Sequence, residues 1–171
     1  MTEGAGQADG DTDGDMDGDG AARALAAAEA LGLAPTVTRH GPVRSLDEAA
    51  AARGLVPHQI VKTMVVRVSA QDHRFVLVPG DREIAWPKLR ALLGVNRLSM
   101  PSADAAFEVT GYERGTITPL GAWTALPVIA DSSMTDTVSI GGGAHGVALT
   151  VDAAELVAAL GATVADVTEP R

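Results

Sequence analysis

A lysine lies inside an apolar stretch, residues 60–68, and it is one of only two lysines in the chain. The stretch is rich in β-branched residues, which predicts a strand that neighbouring elements cover on both faces. The two-residue period of a strand then places Lys62 on one face with Met64, Val66 and Val68. Burying an ammonium group without a partner is costly, so Lys62 is a candidate for binding an anion or a carbonyl oxygen. The alternative is a lysine whose stem lies on apolar surface while its head reaches solvent.

Two glycine-rich loops could bring backbone amides close to a ligand. Residues 110–121 hold three glycines and a proline, and residues 140–146 hold four glycines. Glycine lets the backbone approach a ligand closely, and proline stiffens a loop that presents its amides. Taken alone, each loop is more simply explained as an ordinary turn.

Most standard catalytic signatures are missing. The chain has no cysteine, which excludes disulfides, thiolate zinc sites and a cysteine nucleophile. The four histidines show no metal-ligand spacing, so we expect neither a metal nor another cofactor. Gly141-x-Gly143-x-x-Gly146 matches the dinucleotide-binding fingerprint, but the next residues predict a strand where that fingerprint requires a helix. The Gly-x-Ser-x-Gly pattern of serine hydrolases is also missing.

The composition narrows the class of protein. At 171 residues, 46% of them hydrophobic, the chain predicts one domain with a substantial core. Aromatic residues make up only 3%, too few for a base-stacking platform of the RNA-recognition type. No apolar stretch approaches the roughly 20 residues that cross a bilayer, and the acidic N-terminus is unlike a secretory signal. We therefore expect a cytoplasmic enzyme or binding domain with no membrane partner.

The net charge of −9 is distributed unevenly. Residues 1–20 carry seven acidic and no basic side chains, which leaves −2 for the other 151 residues. The Gly/Asp-rich segment 1–20 predicts a disordered acidic tail, followed by a single domain at residues 21–171. A nearly neutral domain does not strongly repel a polyanion.

Helices and strands follow one another from residue 21 onward. Ser45, Ser102 and Asp152 predict helix N-caps, and glycines mark the helix ends. A short polar link at residues 69–73 predicts an antiparallel hairpin. Hairpins mixed with helices predict a mixed α/β domain with a largely antiparallel sheet flanked by helices. The predicted helices span residues 21–31, 45–54, 86–94, 102–110 and 153–160, and the predicted strands span 36–40, 60–68, 74–78, 127–130, 137–140, 147–151 and 163–167.

Five motifs occur in an order that resembles a known family. They are Val61-Lys62-Thr63, Val78-Pro79-Gly80-Asp81, Thr110-Gly111-Tyr112 with Gly115-x-x-x-Pro119-x-Gly121, residues 127–131, and Ser139-Ile140-Gly141-Gly142-Gly143. From about Leu25 to Leu160 the chain resembles the YbaK/EbsC family of aminoacyl-tRNA editing domains. That family includes free-standing deacylases and the insertion domain of bacterial prolyl-tRNA synthetases. The resemblance implies a YbaK-like mixed α/β fold that hydrolyses the ester of mischarged tRNA, commonly tRNA-Pro carrying Cys or Ala.

The resemblance also implies roles for individual residues. Lys62 matches the family's essential lysine, which would orient the phosphate of the terminal adenosine or the ester group. Backbone amides around Gly115 would hold the ester carbonyl or its oxyanion, and the attacking group would be water or the substrate itself, aided by the ribose hydroxyl. His145 replaces the Lys or Arg of many cysteinyl-tRNA deacylases, so the amino acid specificity does not carry over. The implied substrate-binding residues are Thr63, Thr116, Ile117, Thr118, Pro119, Asp131, Gly141, Gly142, Gly143 and His145.

Four basic residues near the predicted helix 86–94 are candidates for binding tRNA. They are Arg82, Lys88, Arg90 and Arg97. Their spacing lets several of them share one exposed side, although an ordinary solvated helix face explains them equally well. The expected partner is mischarged tRNA, in the first place tRNA-Pro, and a prolyl-tRNA synthetase is a further candidate.

Two other functions remain open from the sequence. One is a related deacylase that uses the same pocket for another aminoacyl ester. The other is a non-catalytic tRNA- or nucleotide-binding module of the same fold. Lys62 argues against the second, because a module that only binds has less need of that residue.

Overall fold

The structure is a computed structural model that describes residues 12–171, with side chains from Gly18 onward. Residues 1–11 of the predicted tail lie outside the described residues. The first helix, α1 (Thr12–Ala30), begins earlier than the predicted start at residue 21. Gly20 is already buried, and a Cβ placed on it would collide with the carbonyl oxygen of Gly143. The packing of this helix against the domain therefore starts before the predicted boundary.

Five α-helices and nine strands make up the described chain, in an order close to the predicted one. Two strands of three residues, at Arg82–Ile84 and Thr168–Pro170, were not predicted, because so short a segment shows no alternation. The elements after α1 are β1 (Thr36–Arg39), α2 (Leu46–Ala52), a 3₁₀ turn (Pro57–Gln59), β2 (Val61–Ser69), β3 (Asp72–Pro79), β4 (Arg82–Ile84), α3 (Trp86–Leu93), α4 (Ala103–Thr110), β5 (Val128–Asp131), β6 (Thr137–Gly141), β7 (Val147–Asp152), α5 (Ala153–Leu160), β8 (Thr163–Ala165) and β9 (Thr168–Pro170).

The strands form three sheets. The order β1-β7-β6 is antiparallel throughout, and β4 pairs with β9 in a separate antiparallel ribbon. The four-stranded sheet β2-β3-β5-β8 is mixed: the predicted β2–β3 hairpin is antiparallel, and the pairs β3–β5 and β5–β8 are parallel. A parallel bridge between Ile60 and Ser139 joins the start of β2 to the three-stranded sheet. The predicted mixed α/β class, with antiparallel pairing in the majority, is confirmed.

Both faces of the four-stranded sheet are covered, as the apolar run at residues 60–68 predicted. Val65 belongs to the larger core cluster, on the side of α1, α5 and the three-stranded sheet. Its neighbour Val66 belongs to the smaller cluster, with Leu89 of α3. Lys62 is in register with Val78, which also belongs to the smaller cluster. Alternation along β2 therefore sends the Lys62 side chain toward α3 and the β4–β9 ribbon.

Local hydrogen bonds fix the helix ends that the sequence indicated. The Ser45 hydroxyl accepts from the Glu48 amide at 3.1 Å, and the Ser102 hydroxyl accepts from the Ala105 amide at the same distance. Asp152 caps α5 in the same way. Each bond satisfies an amide that the first helical turn cannot pair. Among the described residues, no helix is long and apolar enough to cross a membrane.

Candidate functional site

The predicted lysine lies on an edge strand, close to the junction of two sheets. β2 is the outer strand of its sheet, and Lys62 follows the Ile60–Ser139 bridge by two residues. The Lys62 ammonium donates to the carbonyl oxygen of Arg82 at 3.3 Å. Burial, and to a lesser extent the positive charge of Arg171, lowers the pKa of Lys62. The lysine is thus half-buried, and its ammonium group is hydrogen-bonded to one backbone carbonyl.

A cavity of about 720 Å³ lies against β2. This volume is typical of a small-molecule site. Its walls come from β2, from the segment that leads into α4, from the loop around Gly115 and from the end of β6. Lys62 and the predicted Thr63, Gly115, Ile117 and Gly141 all line it. The remaining lining residues are Arg53, Ile60, Val61, Met64, Val65, Met100, Pro101, Ser102, Ala103, Ala106 and Arg114.

A second cavity of about 530 Å³ adjoins the first. Arg53, Gly115 and Gly141 line both cavities and form the boundary between them. The rest of the second wall comes from the turn after β1 and the glycine-rich loop between β6 and β7, including His145. The two cavities can therefore hold two parts of one ligand, on either side of a common rim.

Buried polar atoms without a protein partner are concentrated at these cavities. Among the described residues, three buried side-chain atoms have no hydrogen-bond partner: His40 Nε2, Arg53 Nε and Thr63 Oγ1. Thr63 lines the first cavity, His40 the second, and Arg53 both. Buried polar groups in folded proteins are nearly always paired, because an unpaired one forfeits its hydration. These residues share a location at the cavities, where a small side-chain movement would bring the unpaired atoms to a ligand.

The charges around the cavities favour an anionic ligand. The first cavity is lined by three basic residues, Arg53, Lys62 and Arg114. No aspartate or glutamate of the described chain is among the residues that line either cavity. Burial lowers the pKa of Arg53, although a guanidinium group keeps its proton in proteins. In so poorly hydrated a place these charges attract an anion more strongly than they would in water.

The loop at residues 110–121 is held rigidly, and only part of it faces the cavities. The Tyr112 hydroxyl donates to the Leu120 carbonyl at 2.6 Å and closes the loop. Gly115 has φ +86°, a conformation that favours glycine, and it lies on the rim shared by both cavities. The Thr116 amide donates to the Glu113 carbonyl at 3.0 Å, so it is not available to a ligand. Of the predicted amide donors, those of Gly115 and Ile117 belong to residues that line a cavity.

The other predicted residues of this loop lie behind the cavities. Thr116 and Thr118 are buried and line neither of them, and Pro119 does not line them either. The Thr118 hydroxyl accepts from the Leu120 amide at 3.4 Å. These residues shape the loop from within, so direct substrate contact by them receives no support from their positions.

The second glycine-rich loop is tied to the first. The Gly143 amide donates to the Thr116 carbonyl at 3.2 Å, and the Gly142 amide donates to the Val147 carbonyl at 2.9 Å. Of the three predicted glycines, only Gly141 lines the cavities. His145 lines the second one, where its Nε2 lies 3.3 Å from a carboxylate oxygen of Glu113.

The structure does not bring Asp131 to the cavities. Its carboxylate is buried at the end of β5, where Oδ1 accepts from the Val167 amide at 3.1 Å and Oδ2 from the Ser133 amide at 3.1 Å. Burial alone raises the pKa of Asp131, but the bonds from Ser133, Val167 and Thr168 together hold it below its ordinary value. In these positions Asp131 joins β5 to the segment that leads into β9, rather than binding the substrate as the resemblance implied.

The four predicted tRNA-binding residues fall into two groups. Arg82 donates through Nε to the Thr168 hydroxyl at 2.6 Å, and Lys88 pairs with Asp166 at 3.0 Å. Arg90 is half-buried and Arg97 is exposed, and neither takes part in an ion pair within the described chain. Two of the four therefore hold the β9 region in place, and two remain available to solvent.

Sequence reasoning missed Arg53, His40 and Arg114. Arg53 follows the alanine-rich helix α2 by one residue, a position that by itself predicts an ordinary C-terminal cation. One weak signal was available, since no other basic residue lies between residues 45 and 57. Only the hydrogen bond from Arg53 to Ser139 of β6 and the cavity linings show that Arg53 lies at the site.

Comparison with known sequences relates this geometry to a family. Residues 40–159 match the family model of the aminoacyl-tRNA editing domain. The proline–tRNA ligase of Bacillus licheniformis is 32% identical over 109 residues, which are 62% of this chain and 18% of the ligase. The chain thus spans less than a fifth of the length of that relative.

Solved structures extend the likeness to nearly the whole fold. A candidate trans-editing enzyme for prolyl-tRNA synthetase superposes with a TM-score of 0.81 at 30% identity, covering 88% of this chain and 97% of the other. A scaffold protein used for the grafting of linear epitopes superposes with a TM-score of 0.80, also at 30% identity, covering 89% and 98%.

Proposed function

The chain belongs to the aminoacyl-tRNA editing domain family, and from this premise we propose that it is a trans-acting deacylase for mischarged tRNA. The observation that carries the proposal is the location of the three unpartnered buried atoms. All three belong to residues that line a pair of cavities, which cations surround and Gly115 borders. A terminal nucleotide esterified to an amino acid offers hydrogen-bond acceptors, a phosphate and a carbonyl, which are the partners such a site requires.

The first cavity accommodates the aminoacyl group. Its wall beyond Thr63 is largely apolar, with Met64, Val65, Ala106 and Ile117 among the lining residues. A small side chain such as that of alanine or cysteine fits this surface. The unpartnered hydroxyl of Thr63 supplies one hydrogen bond in an otherwise apolar wall.

Ester cleavage here uses positioning and electrostatics rather than a protein nucleophile. The Ser102 hydroxyl, which lines the first cavity, is committed to capping α4. The attacking group is water, which the neighbouring ribose hydroxyl of the substrate helps to position. The bond between the carbonyl carbon and the ribose oxygen then breaks, and the ribose oxygen leaves as a hydroxyl group while the amino acid is released. The amides of Gly115 and Ile117 stabilise the negative charge that develops on the carbonyl oxygen. Lys62 exchanges the Arg82 carbonyl for a substrate oxygen, a movement that its flexible four-carbon stem allows.

The tRNA that fits the family relationship is tRNA-Pro carrying a small non-cognate amino acid. The curated relative is a proline–tRNA ligase, and the candidate trans-editing enzyme serves prolyl-tRNA synthetase. A prolyl-tRNA synthetase is accordingly the proposed partner that produces the mischarged substrate.

Deacylation of a panel of charged tRNAs tests the proposal. The purified chain is incubated with tRNA-Pro carrying alanine, cysteine or proline, and with a cognate alanyl-tRNA-Ala. We expect loss of the ester from at least one mischarged tRNA-Pro, with prolyl-tRNA-Pro spared. Tight binding of these tRNAs with no hydrolysis of any would instead identify a binding module. Hydrolysis of a different aminoacyl ester alone would redirect the substrate assignment.

A further inference from the structure

Arg53 has an unusual position for an arginine. It lies on the rim shared by both cavities, and none of the ion pairs of the described chain involves it. One terminal nitrogen donates to the Ser139 hydroxyl at 3.2 Å, and Ser139 is fully buried. The Nε–H is buried without a partner. A guanidinium group has five N–H donors, so most of its capacity is unused by the protein side chains around it.

We propose that Arg53 binds the phosphate on the 5′ side of the terminal adenosine of the tRNA, an inference that rests on the deacylase function proposed above. A guanidinium group matches a phosphate with two parallel hydrogen bonds, and this pairing is among the strongest in proteins. Nε and one terminal nitrogen form such a fork once a small side-chain movement uncovers Nε, while the other terminal nitrogen stays on Ser139. The hydroxyl of Ser139 thereby fixes the plane of the guanidinium group.

The chemistry of the substrate leaves one anion for this cation. The amino acid of an aminoacyl ester has no free carboxylate, and adenosine itself is neutral. The nearest negative charge is the phosphodiester, one ribose away from the ester. Arg53 and Gly115 lie on the same rim, so one residue can hold the phosphate while the other contacts the ester.

The position of Lys62 supports the assignment of the phosphate to Arg53. Its ammonium lies at the Arg82 carbonyl, on the side of the sheet that faces the β4–β9 ribbon. None of the charged groups that act on it, Arg171, Glu83 and Asp81, lines either cavity. The cation that already lies between the two cavities is Arg53, which makes it the group best placed for the phosphate.

Two minimal substrates that differ only in the phosphate test the assignment. They are the 3′-alanyl ester of adenosine and the 3′-alanyl ester of adenosine 5′-monophosphate. For the wild type we expect a higher kcat/KM on the phosphorylated ester. Arg53→Gln should lower kcat/KM on that ester roughly 10- to 100-fold, the usual loss for a charge-assisted hydrogen bond pair, and leave the other ester unchanged. Arg53→Lys keeps the charge without the fork and should recover part of the loss.

The control is Arg67→Gln, which removes an exposed arginine of β2 that lines neither cavity. It should leave both esters unchanged. Equal losses on both esters in Arg53→Gln would overturn the proposal, because they would assign Arg53 to the ester or to the fold. Thermal melts of all variants identify any that fail to fold.

A binding measurement separates this inference from the proposed function. Calorimetry compares adenosine with adenosine 5′-monophosphate on the wild type and on Arg53→Gln. Tighter binding of the monophosphate by the wild type, lost in the variant, supports the Arg53 site even if neither ester is cleaved. Equal affinity of the wild type for both ligands would overturn it, whether or not the variant folds and even if deacylation is observed.

Discussion

Polar residues have opposite roles in two regions near β2, the strand that carries Lys62. At the cavities, Arg53, Thr63 and His40 each have a buried atom with no protein partner. At the β9 seam, which comprises Arg82, Lys88, Asp131, Asp166 and Thr168, the polar groups satisfy one another. The clearest case is Asp131, whose two carboxylate oxygens are both occupied by donors from the protein. Satisfied groups contribute to the fold itself, and unsatisfied ones are retained where a ligand completes them.

The contrast separates the residues that the sequence had grouped together. Asp131 lay within a family motif, yet it belongs to the seam. Arg82 and Lys88 were assigned to tRNA, yet their side chains hold Thr168 and Asp166. Changes at the cavities should therefore affect activity more than stability, and changes at the seam should do the reverse.

The largest effect is expected from Lys62→Ala. If the ammonium orients the ester, hydrolysis should fall by about 10²-fold or more, as when an oxyanion-hole donor is removed. The fold should survive, because the variant loses a single hydrogen bond to the Arg82 carbonyl. The measurement is kcat/KM on a 3′-aminoacyl adenosine ester, together with a thermal melt.

Lys88→Ala is the matched control, since it removes the other lysine of the chain. On an ester that lacks the tRNA body, this variant should hydrolyse at the wild-type rate. A folded Lys62→Ala protein with full activity would end the assignment of Lys62 to catalysis.

Asp131→Asn should act on stability. A carboxylate accepts on both oxygens here, whereas an amide turns an NH₂ group toward one of the donors, Ser133 or Val167. We expect a loss of about 1–3 kcal/mol in the free energy of unfolding at neutral pH. The kcat/KM of the folded variant should remain near the wild-type value, which chemical denaturation and the ester assay check together.

The pH dependence of this loss follows from the lowered pKa of Asp131. A carboxylate whose pKa is lower in the folded state stabilises the fold above its unfolded pKa, and the contribution disappears as the pH falls through the folded pKa. The difference between wild type and Asp131→Asn should thus be full near pH 7 and shrink below the ordinary value of 3.8. A difference that grew on acidification would contradict the assignment.

Thr63→Val should have smaller effects, which raise the free energy of unfolding and lower the activity. The variant replaces a buried, unpartnered hydroxyl by a methyl group of similar shape. Its free energy of unfolding should rise by about 1 kcal/mol, because no hydrogen bond is broken and an unpaired polar group is removed. Its kcat/KM should fall several-fold, because the substrate loses a hydrogen bond worth roughly 0.5–1.5 kcal/mol. Lower stability with unchanged activity would show that the Thr63 hydroxyl is hydrogen-bonded within the protein and does not contact the substrate.

The smallest expected effect concerns the salt dependence of tRNA binding. Arg90 and Arg97 take part in no ion pair of the described chain, whereas Lys88 is engaged by Asp166. Changing both arginines to glutamine should flatten the log–log slope of affinity against salt by roughly 0.7–0.9 for each phosphate that the variant no longer neutralises. Lys88→Gln should flatten it less. Filter binding over a salt series measures these slopes. A larger flattening for Lys88→Gln than for the double arginine variant would show instead that Lys88 contacts tRNA.

Local sequence signals were enough for most of the secondary structure. The helix caps at Ser45, Ser102 and Asp152 depend on side-chain bonds to amides three residues away. The β2–β3 hairpin depends on two apolar strands with a short polar link. Such interactions lie close together along the chain, so composition and spacing determine them. The five motifs, whose order resembles that of a known family, also predicted the family. The match of residues 40–159 to the family model confirms it.

Only the tertiary structure decided which polar residues are satisfied. Arg53 and Ser139 are 86 positions apart, as are Arg82 and Thr168, and nothing in the local sequence distinguishes the arginine that keeps an unpaired donor from the one engaged by β9. That distinction depends on the long-range bond from Arg53 to Ser139 of β6 and on the pairing of β4 with β9, a strand of three residues. The sequence by itself determined the elements, the lysine and the glycine loops. Long-range packing determined the cavity to which they contribute, because burial and hydrogen-bond satisfaction are properties of the assembled fold.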